Sequence, residues 1–176
     1  IRSLTFKYIP METLDRARPI LSQTQNNTTL WIGHLRSDLN EHLGGQTFAC
    51  PSEGVLNNIQ VYSSAVTQPG EMLLTLHEFD VASKTWGPAI SRSMLAVDMD
   101  DTAKWLRFQL EPVAMQKDSS YGFRLQTDEG MIGIGEAISH AQKPFNYGCA
   151  WNGHSATERG NYFKYFSLAF KVELCA

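Results

Sequence analysis

Short segments in which apolar and polar residues alternate recur along most of this 176-residue chain. Residues 104–110, for example, place Leu106, Phe108 and Leu110 on one face and Trp105, Arg107 and Gln109 on the other. Successive side chains of a β-strand point to opposite faces, so a period of two residues is typical of a strand with one buried face. The alternation therefore favours a protein built from β-sheets.

Turn signals rich in Pro, Gly and Asp separate these segments, and no helical pattern lies between them from residue 45 onwards. Regularly spaced short strands without intervening helices are typical of antiparallel sandwiches or barrels rather than of parallel sheets. We predict an all-β antiparallel sandwich, with strands at residues 46–49, 55–63, 71–79, 89–97, 104–110, 122–126, 131–137 and 162–174.

The first 44 residues follow a different pattern. Residues 4–9 alternate as a strand does, whereas residues 11–21 carry apolar side chains at a spacing closer to 3.6, which predicts a short helix weakened by Pro19. We therefore predict an N-terminal extension, residues 1–44, with a strand and a short helix, followed by the sandwich, residues 45–176, in one domain overall.

Composition bears on the partners of the chain. The 15 basic and 18 acidic residues give a net charge of −3, and no basic stripe is present to attract nucleic acid. No apolar run approaches the roughly 18 residues that a membrane-spanning helix needs. We expect neither a nucleic-acid partner nor a membrane span. Because the chain begins at Ile1 without a methionine, we also expect a fragment or a processed product.

The three cysteines, Cys50, Cys149 and Cys175, do not form the even set that a disulfide framework requires. Cys50 and Cys149 each lie beside a predicted strand and could pair. Buried or half-buried thiols are the reading that we favour for all three residues.

Several short motifs occur in a familiar order. Residues 46–51 read QTFACP, Tyr147-Gly148 precedes Trp151, and residues 168–170 read LAF in the closing strand. In this order the chain resembles jelly-roll β-sandwich accessory modules of galactose-binding-like or carbohydrate-binding-module type, found in bacterial secreted and surface proteins. The resemblance covers about residues 45–173. It implies a jelly-roll sandwich without catalytic activity, often binding glycans and sometimes holding a structural calcium ion, and it identifies no ligand residues in this chain.

The segment at residues 143–165 is the richest in aromatic and polar side chains, and we predict that it forms a long loop between strands. Sugar rings present apolar C–H faces that stack on aromatic rings, while amide and charged side chains bind the hydroxyl groups. The predicted ligand-binding residues are Trp86, Tyr147, Trp151, Asn152, His154 and Arg159. Trp86 is included because a turn at residues 84–88 would expose its ring. The alternative is that these aromatic residues anchor the loop to the core.

Asp98, Asp100 and Asp101 lie close together in a predicted turn. Carboxylates at this spacing can share a calcium ion with backbone carbonyls. Acidic turns are also common without a metal, because Asp binds its own backbone there. A structural calcium ion is thus the one cofactor that the sequence suggests.

Catalytic motifs are missing from the sequence. The five histidines have no zinc-binding spacing, and no serine lies in a nucleophile elbow. The favoured prediction is a non-catalytic module that binds carbohydrate or another polar ligand. The alternatives are an assembly module that contacts a neighbouring domain or a second copy of the chain, and a hydrolase that uses Glu136 with a loop carboxylate.

Overall fold

The structure, a computed structural model, describes residues 17–34, 40–155 and 157–175. These residues form fourteen β-strands and a single 3₁₀ turn at Met99–Asp101, which confirms the all-β prediction. The strands are β1 (Ala17–Gln23), β2 (Thr28–His34), β3 (Glu41–Ala49), β4 (Gly54–Gln68), β5 (Gly70–Asp80), β6 (Thr85–Val97), β7 (Lys104–Gln109), β8 (Ala114–Met115), β9 (Ser120–Thr127), β10 (Met131–Ile138), β11 (Ala150–His154), β12 (Thr157–Phe163), β13 (Phe166–Leu168) and β14 (Phe170–Cys175).

The strands form one curled antiparallel sheet in the order β1-β14-β4-β10-β2-β3-β9-β5-β6. β7 and β8 pair with β4, β13 pairs with β10, and the hairpin β11–β12 pairs with β3 through β11. The 15-residue strand β4 connects two parts of the sheet, because it pairs with β14 and β7 in its first half and with β10 in its second. This curled sheet is compatible with a β-sandwich.

Alternation along each strand places one face in a common core. Met72, Leu74 and Leu76 on β5 are fully buried, as is Phe108 on β7. The predicted faces of residues 104–110 are therefore confirmed. Removing such side chains from water is the main favourable term for the fold, since a fully buried aliphatic or aromatic side chain contributes about 1.5–3 kcal/mol.

The predicted helix at residues 11–21 is wrong for its described part, because Ala17–Gln23 forms β1 and pairs with β14. Pro19 is tolerated because β1 is an edge strand whose register shifts between Pro19 and Leu21. The predicted strand at residues 4–9 lies outside the described residues. The division predicted after residue 44 falls within β3, and β1, β2 and β3 all belong to the sheet.

Two predicted turns and loops are strands instead. Most of residues 143–165 form the hairpin of β11 and β12. Likewise, β6 begins at Thr85, so the turn lies at residues 81–84 and Trp86 belongs to a strand. The sequence predicted a turn there because of Pro88. A proline has no N–H group to donate, but it fits an edge strand such as β6, where one side of the backbone has no partner strand.

Candidate functional site

The six predicted binding residues do not share one exposed surface. The side chain of Trp151 is only 1% exposed, and Trp86 is half-buried, whereas Tyr147 is 64% exposed. β11 also separates its own residues, because alternation sends Trp151 to one face and Asn152 and His154 to the other. The prediction that Trp86 offers an exposed stacking surface is therefore wrong, and Trp151 cannot contact a ligand without a rearrangement.

Trp86 and Trp151 enclose an arginine on the outer face of the sheet, the face opposite the core residues Phe123 and Leu125. The guanidinium carbon of Arg124 lies 4.3 Å from the ring centre of Trp86 and 4.5 Å from that of Trp151. The two indole rings are 5.5 Å apart and inclined by 62°. A cation between two aromatic faces is held by the negative potential of both rings, and the attraction is stronger because the rings exclude water.

Glycines on β9 and β11 make room for the two indoles. A Cβ atom at Gly122 would lie 2.6 Å from Cη2 of Trp86, and one at Gly153 would lie 2.7 Å from Cζ2 of Trp151. Such distances are far below van der Waals contact, so neither position accepts a side chain while the rings stay in place. The glycines let each ring lie flat against the backbone of the sheet.

Two successive hydrogen bonds connect Trp86 through Tyr162 to the backbone of Lys84. Its indole N–H donates to the hydroxyl of Tyr162 at 2.6 Å, and that hydroxyl donates to the carbonyl of Lys84 at 3.1 Å. Burial raises the pKa of Tyr162, so the hydroxyl remains a donor at neutral pH.

His77 packs edge-to-face on Trp86 at 5.5 Å. Its Nδ1 lies 2.9 Å from the carbonyl of Gly87 and its Nε2 lies 2.8 Å from the hydroxyl of Thr75. A carbonyl only accepts, so Nδ1 carries the hydrogen and Nε2 accepts from Thr75. Burial lowers the pKa of His77, and the charge of Arg124 lowers it further, which favours the neutral ring. We call Trp86, Trp151, Arg124, His77, Tyr162 and Phe79 the outer cluster.

A cleft of about 600 Å³ opens beside the outer cluster, and we call it the Tyr147 cleft. Tyr162 and Phe79 belong to both, since each packs in the cluster and lines the cleft. Tyr147 and Val81 are 64% and 63% exposed, which is unusual for side chains of their size. The other lining residues are Thr47, Phe48, Ala49, Lys84, Ser120, Lys143, Asn146, Gly148, Cys149 and Lys164.

Tyr147 is held in place by a ring contact and a backbone hydrogen bond, although its ring is exposed. It packs edge-to-face on Phe145 at 5.8 Å, and Phe145 packs on the core residue Phe170 at 5.2 Å. The carbonyl of Tyr147 accepts from the N–H of Ala49 on β3 at 2.8 Å. The backbone of Tyr147 is therefore tied to the sheet although its ring faces solvent, so a ligand that stacks on the ring would not have to order the loop first.

Three lysines surround the Tyr147 cleft, and its described lining contains no Asp or Glu. Lys84 makes two contacts with the lining residue Tyr162: its carbonyl accepts from the Tyr162 hydroxyl, and its ammonium lies 5.7 Å from the Tyr162 ring centre. Its backbone φ is +54°, a left-handed conformation that favours glycine. Lys143 and Lys164 come from the loop before β11 and the turn after β12.

The thiol of Cys149 lines the same cleft, within 3.7 Å of the Thr47 hydroxyl. Cys50, Cys149 and Cys175 are all free thiols. Burial raises the pKa of Cys50, which is consistent with an unreactive core thiol. The pairing of Cys50 with Cys149 that the sequence left open is thus not formed.

Asn152 and His154 line a separate pocket of about 500 Å³ on the other face of the hairpin, and we call it the Asn152 pocket. Trp31, His42 and Asn161 line it too, and the amide of Asn161 lies 3.5 Å from the side-chain oxygen of Asn152. The side chain of Arg159 lies outside the described residues. Two of the predicted residues thus share a pocket, but Tyr147 is not part of it.

Asp98 and Asp101 bind the backbone of their own turn. The carboxylate of Asp98 accepts from the N–H of Met99 at 2.7 Å, and that of Asp101 accepts from the N–H of Asp98 at 2.8 Å. This capping accounts for two of the acidic residues without a metal. Across the described ranges, no three His, Cys, Asp or Glu side chains gather as a metal site. A calcium ion bound by the carboxylates of Asp98, Asp100 and Asp101 together with backbone carbonyl oxygens stays a prediction.

Glu136 is only 6% exposed and lies on the same face of β10 as the core residues Ile132 and Ile134. Burial raises the pKa of its carboxyl group to about 7. Glu136 lines neither the Tyr147 cleft nor the Asn152 pocket. It therefore lacks the open position beside a second carboxylate on which the hydrolase hypothesis depends.

Sequence reasoning missed the lysines and Arg124. Lys84, Lys143 and Lys164 are far apart in the chain, and the successive strand pairings β12–β11–β3–β9–β5 bring their segments together. A signal for the outer cluster was present in the glycines of the strands around Trp151, since a glycine within a strand can mark the close approach of another group.

Comparison with known proteins adds no identification: the chain matches no family model, and no curated protein is significantly similar to it in sequence. No helix in the part of the chain that the structure describes has the length and apolar character to cross a membrane. What the fold itself supports is an antiparallel all-β protein compatible with a β-sandwich.

Proposed function

We propose that this protein is a non-catalytic binding module that recognises carbohydrate, or another polar ligand with an apolar face, in the Tyr147 cleft. The observation that carries the proposal is the 64% exposed ring of Tyr147, held in place by Phe145 and by the backbone of β3. An exposed aromatic ring on a rigid base can bind without a large loss of conformational entropy.

The chemistry of the cleft suits a sugar ring. The faces of Tyr147 and Tyr162 offer stacking surfaces for C–H groups, and Asn146 offers both a donor and an acceptor for hydroxyl groups. A volume of about 600 Å³ lies within the usual range for small-ligand sites, roughly 300–1,000 Å³. In this proposal Trp86 and Trp151 do not contact the ligand. They pack behind the lining residue Tyr162, which accepts a hydrogen bond from Trp86.

A binding screen with Tyr147→Ala tests the proposal. We expect the wild-type protein to bind at least one class on a glycan array, and Tyr147→Ala to weaken that binding by about tenfold, which is 1.4 kcal/mol. Tyr147→Phe should retain most of the affinity. Met94→Ala removes an apolar side chain of similar exposure outside the cleft and serves as the control. A folded wild-type protein that binds nothing on the array would overturn the proposal.

A second candidate function, assembly with another copy of the chain, is favoured by the opposite charges at the two ends of β5. Glu71, Asp128 and Glu129 line a pocket at its start, together with the exposed Met94. The lysines of the Tyr147 cleft lie at its other end, where Phe79 is part of the lining. An acidic end of one copy could meet a basic end of the next, a head-to-tail contact.

Light scattering separates the two candidates. Head-to-tail assembly predicts a mass that increases with protein concentration at low salt and returns to the monomer value at about 0.5 M NaCl, because the charges are then screened. A constant monomer mass at all concentrations would remove this candidate and leave the binding proposal in place.

A further inference from the structure

We infer that the ligand of the Tyr147 cleft is an acidic oligosaccharide, one whose sugar units carry carboxylate groups. This inference rests on the proposed function, because it names the class of ligand for the same site. Its first support is the composition of the lining: Lys84, Lys143 and Lys164 supply three positive charges, and no described lining residue supplies a negative one.

The local charge of the cleft is opposite to that of the whole chain. The net charge is −3, so a cleft lined by three lysines departs from the average surface. The Asn152 pocket, which is of similar size, has no lysine or arginine among its described lining residues. Positive potential is thus concentrated at the cleft that also carries the exposed aromatic ring, where it would attract a negatively charged ligand.

Two acidic side chains, Glu78 and Asp80, line a neighbouring pocket that shares Phe79 and Ser120 with the Tyr147 cleft, and neither belongs to the lining of the cleft. The carboxylate of Asp80 binds its own turn, since it accepts from the N–H groups of Ala82 and Ser83 at 2.9 and 3.0 Å. These hydrogen bonds, chiefly the one from Ser83, lower the pKa of Asp80.

Lys84 gives the second support. A residue with a φ of +54° is normally glycine or asparagine, yet this chain carries a lysine there. The contact of its carbonyl with Tyr162 fixes the turn at the rim of the cleft. The lysine side chain is thus held at the rim of the cleft, where its ammonium lies 5.7 Å from the Tyr162 ring centre.

Together the ring and the lysines match the two parts of a uronic acid unit. Tyr147 would stack on the C–H face of the sugar, while the ammonium groups would bind the carboxylates of successive units through charge-assisted hydrogen bonds. A neutral sugar would use only the ring and Asn146. An acidic peptide would use only the lysines, so it should bind less tightly than an acidic saccharide of equal charge.

A matched pair of trisaccharides tests the inference by calorimetry. Trigalacturonate and its fully methyl-esterified form share the same sugar backbone, and each carboxylate of the acid is a neutral methyl ester in the other. We expect the acid to bind at least about tenfold more tightly than the ester, and its affinity to fall as NaCl increases from about 0.05 to about 0.5 M. A triglutamate peptide of the same charge should bind more weakly than the acid.

Lys84→Gly provides a variant that should remain folded, because glycine relieves the left-handed strain at this position. We expect its thermal midpoint to be unchanged or raised, and its affinity for trigalacturonate to fall about three- to tenfold, by a larger factor than its affinity for the ester. Lys104→Gln removes an exposed lysine of β7, outside the cleft, and should change neither affinity.

The outcomes distinguish this inference from the function on which it rests. Equal binding of acid and ester would overturn the acidic class while leaving a saccharide-binding site. Triglutamate binding as tightly as trigalacturonate would overturn the saccharide and indicate an acidic peptide. If neither trisaccharide binds, the inference fails, and the glycan array then decides separately whether the proposed function stands.

Discussion

The two faces of β3, β5 and β9 are stabilised by different chemistry. On the inner face, Leu74, Leu76 and Phe123 are fully buried among other apolar side chains. On the outer face, Arg124 lies between two tryptophans, and a histidine and a tyrosine complete the group through hydrogen bonds. The same strands thus carry an apolar core on one side and a polar, aromatic cluster on the other.

This difference indicates how a sheet can bury its second face without a second apolar layer. Apolar side chains in the inner core can repack because their interactions have no fixed direction. The outer cluster depends on defined directions, since a cation must lie over a ring face and an indole N–H must meet an oxygen. We therefore expect a substitution in the outer cluster to destabilise the protein more, for the same buried area, than a substitution in the inner core.

The largest effect that we expect concerns Glu136, an acidic residue on the inner face of β10. Its pKa of about 7 in the folded state exceeds the ordinary value of 4.5, so folding favours the protonated form. The stability that this proton provides is complete below pH 4.5 and is lost as pH rises through 7. The loss is up to about 3 kcal/mol, reduced by any water that reaches the carboxylate.

Urea unfolding at pH 5 and pH 8 measures this effect. The wild-type protein should lose stability relative to Glu136→Gln between these two values, because the glutamine cannot ionise. Comparing the two proteins at each pH removes the opposite contribution of His77, whose lowered pKa makes folding more favourable as pH rises. A wild-type-minus-variant difference that does not change with pH would contradict the assignment.

A smaller effect is expected from Gly122→Ala on the outer side. The new methyl group would lie 2.6 Å from Cη2 of Trp86, so the indole or the strand must move, at a cost of about 2 kcal/mol. Gly87→Ala on β6 is the matched control, because the nearest neighbour of the new methyl group would be the carbonyl oxygen of Glu78 at 3.4 Å. Thermal unfolding of both variants makes the test, and equal midpoints would argue against tight packing of the outer cluster.

The smallest effect is expected from Arg124→Met, which keeps an unbranched side-chain stem and removes the guanidinium group with its charge. Loss of the contacts with Trp86 and Trp151 should cost about 1–2 kcal/mol. Lys171→Met, whose ammonium lies 4.0 Å from the ring centre of Trp105 alone, should cost less. Because Arg124 lowers the pKa of His77, the variant should also raise that pKa in an NMR titration. An unchanged His77 titration would mean that the two groups are not coupled.

The fold class could be predicted because period-two patterns record one buried face directly. β5, β7 and β14 all follow this rule, and their inner residues are buried as expected. The short helix over residues 11–21 could not be rejected in the same way, since Ala17 and Leu21 fit a helical spacing by coincidence. Pro19 in β1 fits a bulge at an edge strand, and which strands form the edges is a property of the whole sheet.

The candidate site was predicted only in part, and for a physical reason. Tyr147 was selected correctly as an exposed aromatic residue, but Trp151 was not, because the large apolar ring gives no sign of which face it occupies. The hairpin of β11 and β12 was hidden by Gly153 and Gly160, which weaken the strand pattern. The lysines of the Tyr147 cleft are brought together only by pairings between segments distant in sequence.

The hydrogen bond from Trp86 to Tyr162 connects a half-buried indole with a side chain that lines the Tyr147 cleft. A molecule that enters the cleft would alter the surroundings of that phenol and, through it, the excited state of the indole. The protein would then carry its own optical probe, with emission that changes on occupancy and needs no attached dye. Replacing Tyr162 by phenylalanine would disconnect the probe while leaving most of the cleft intact.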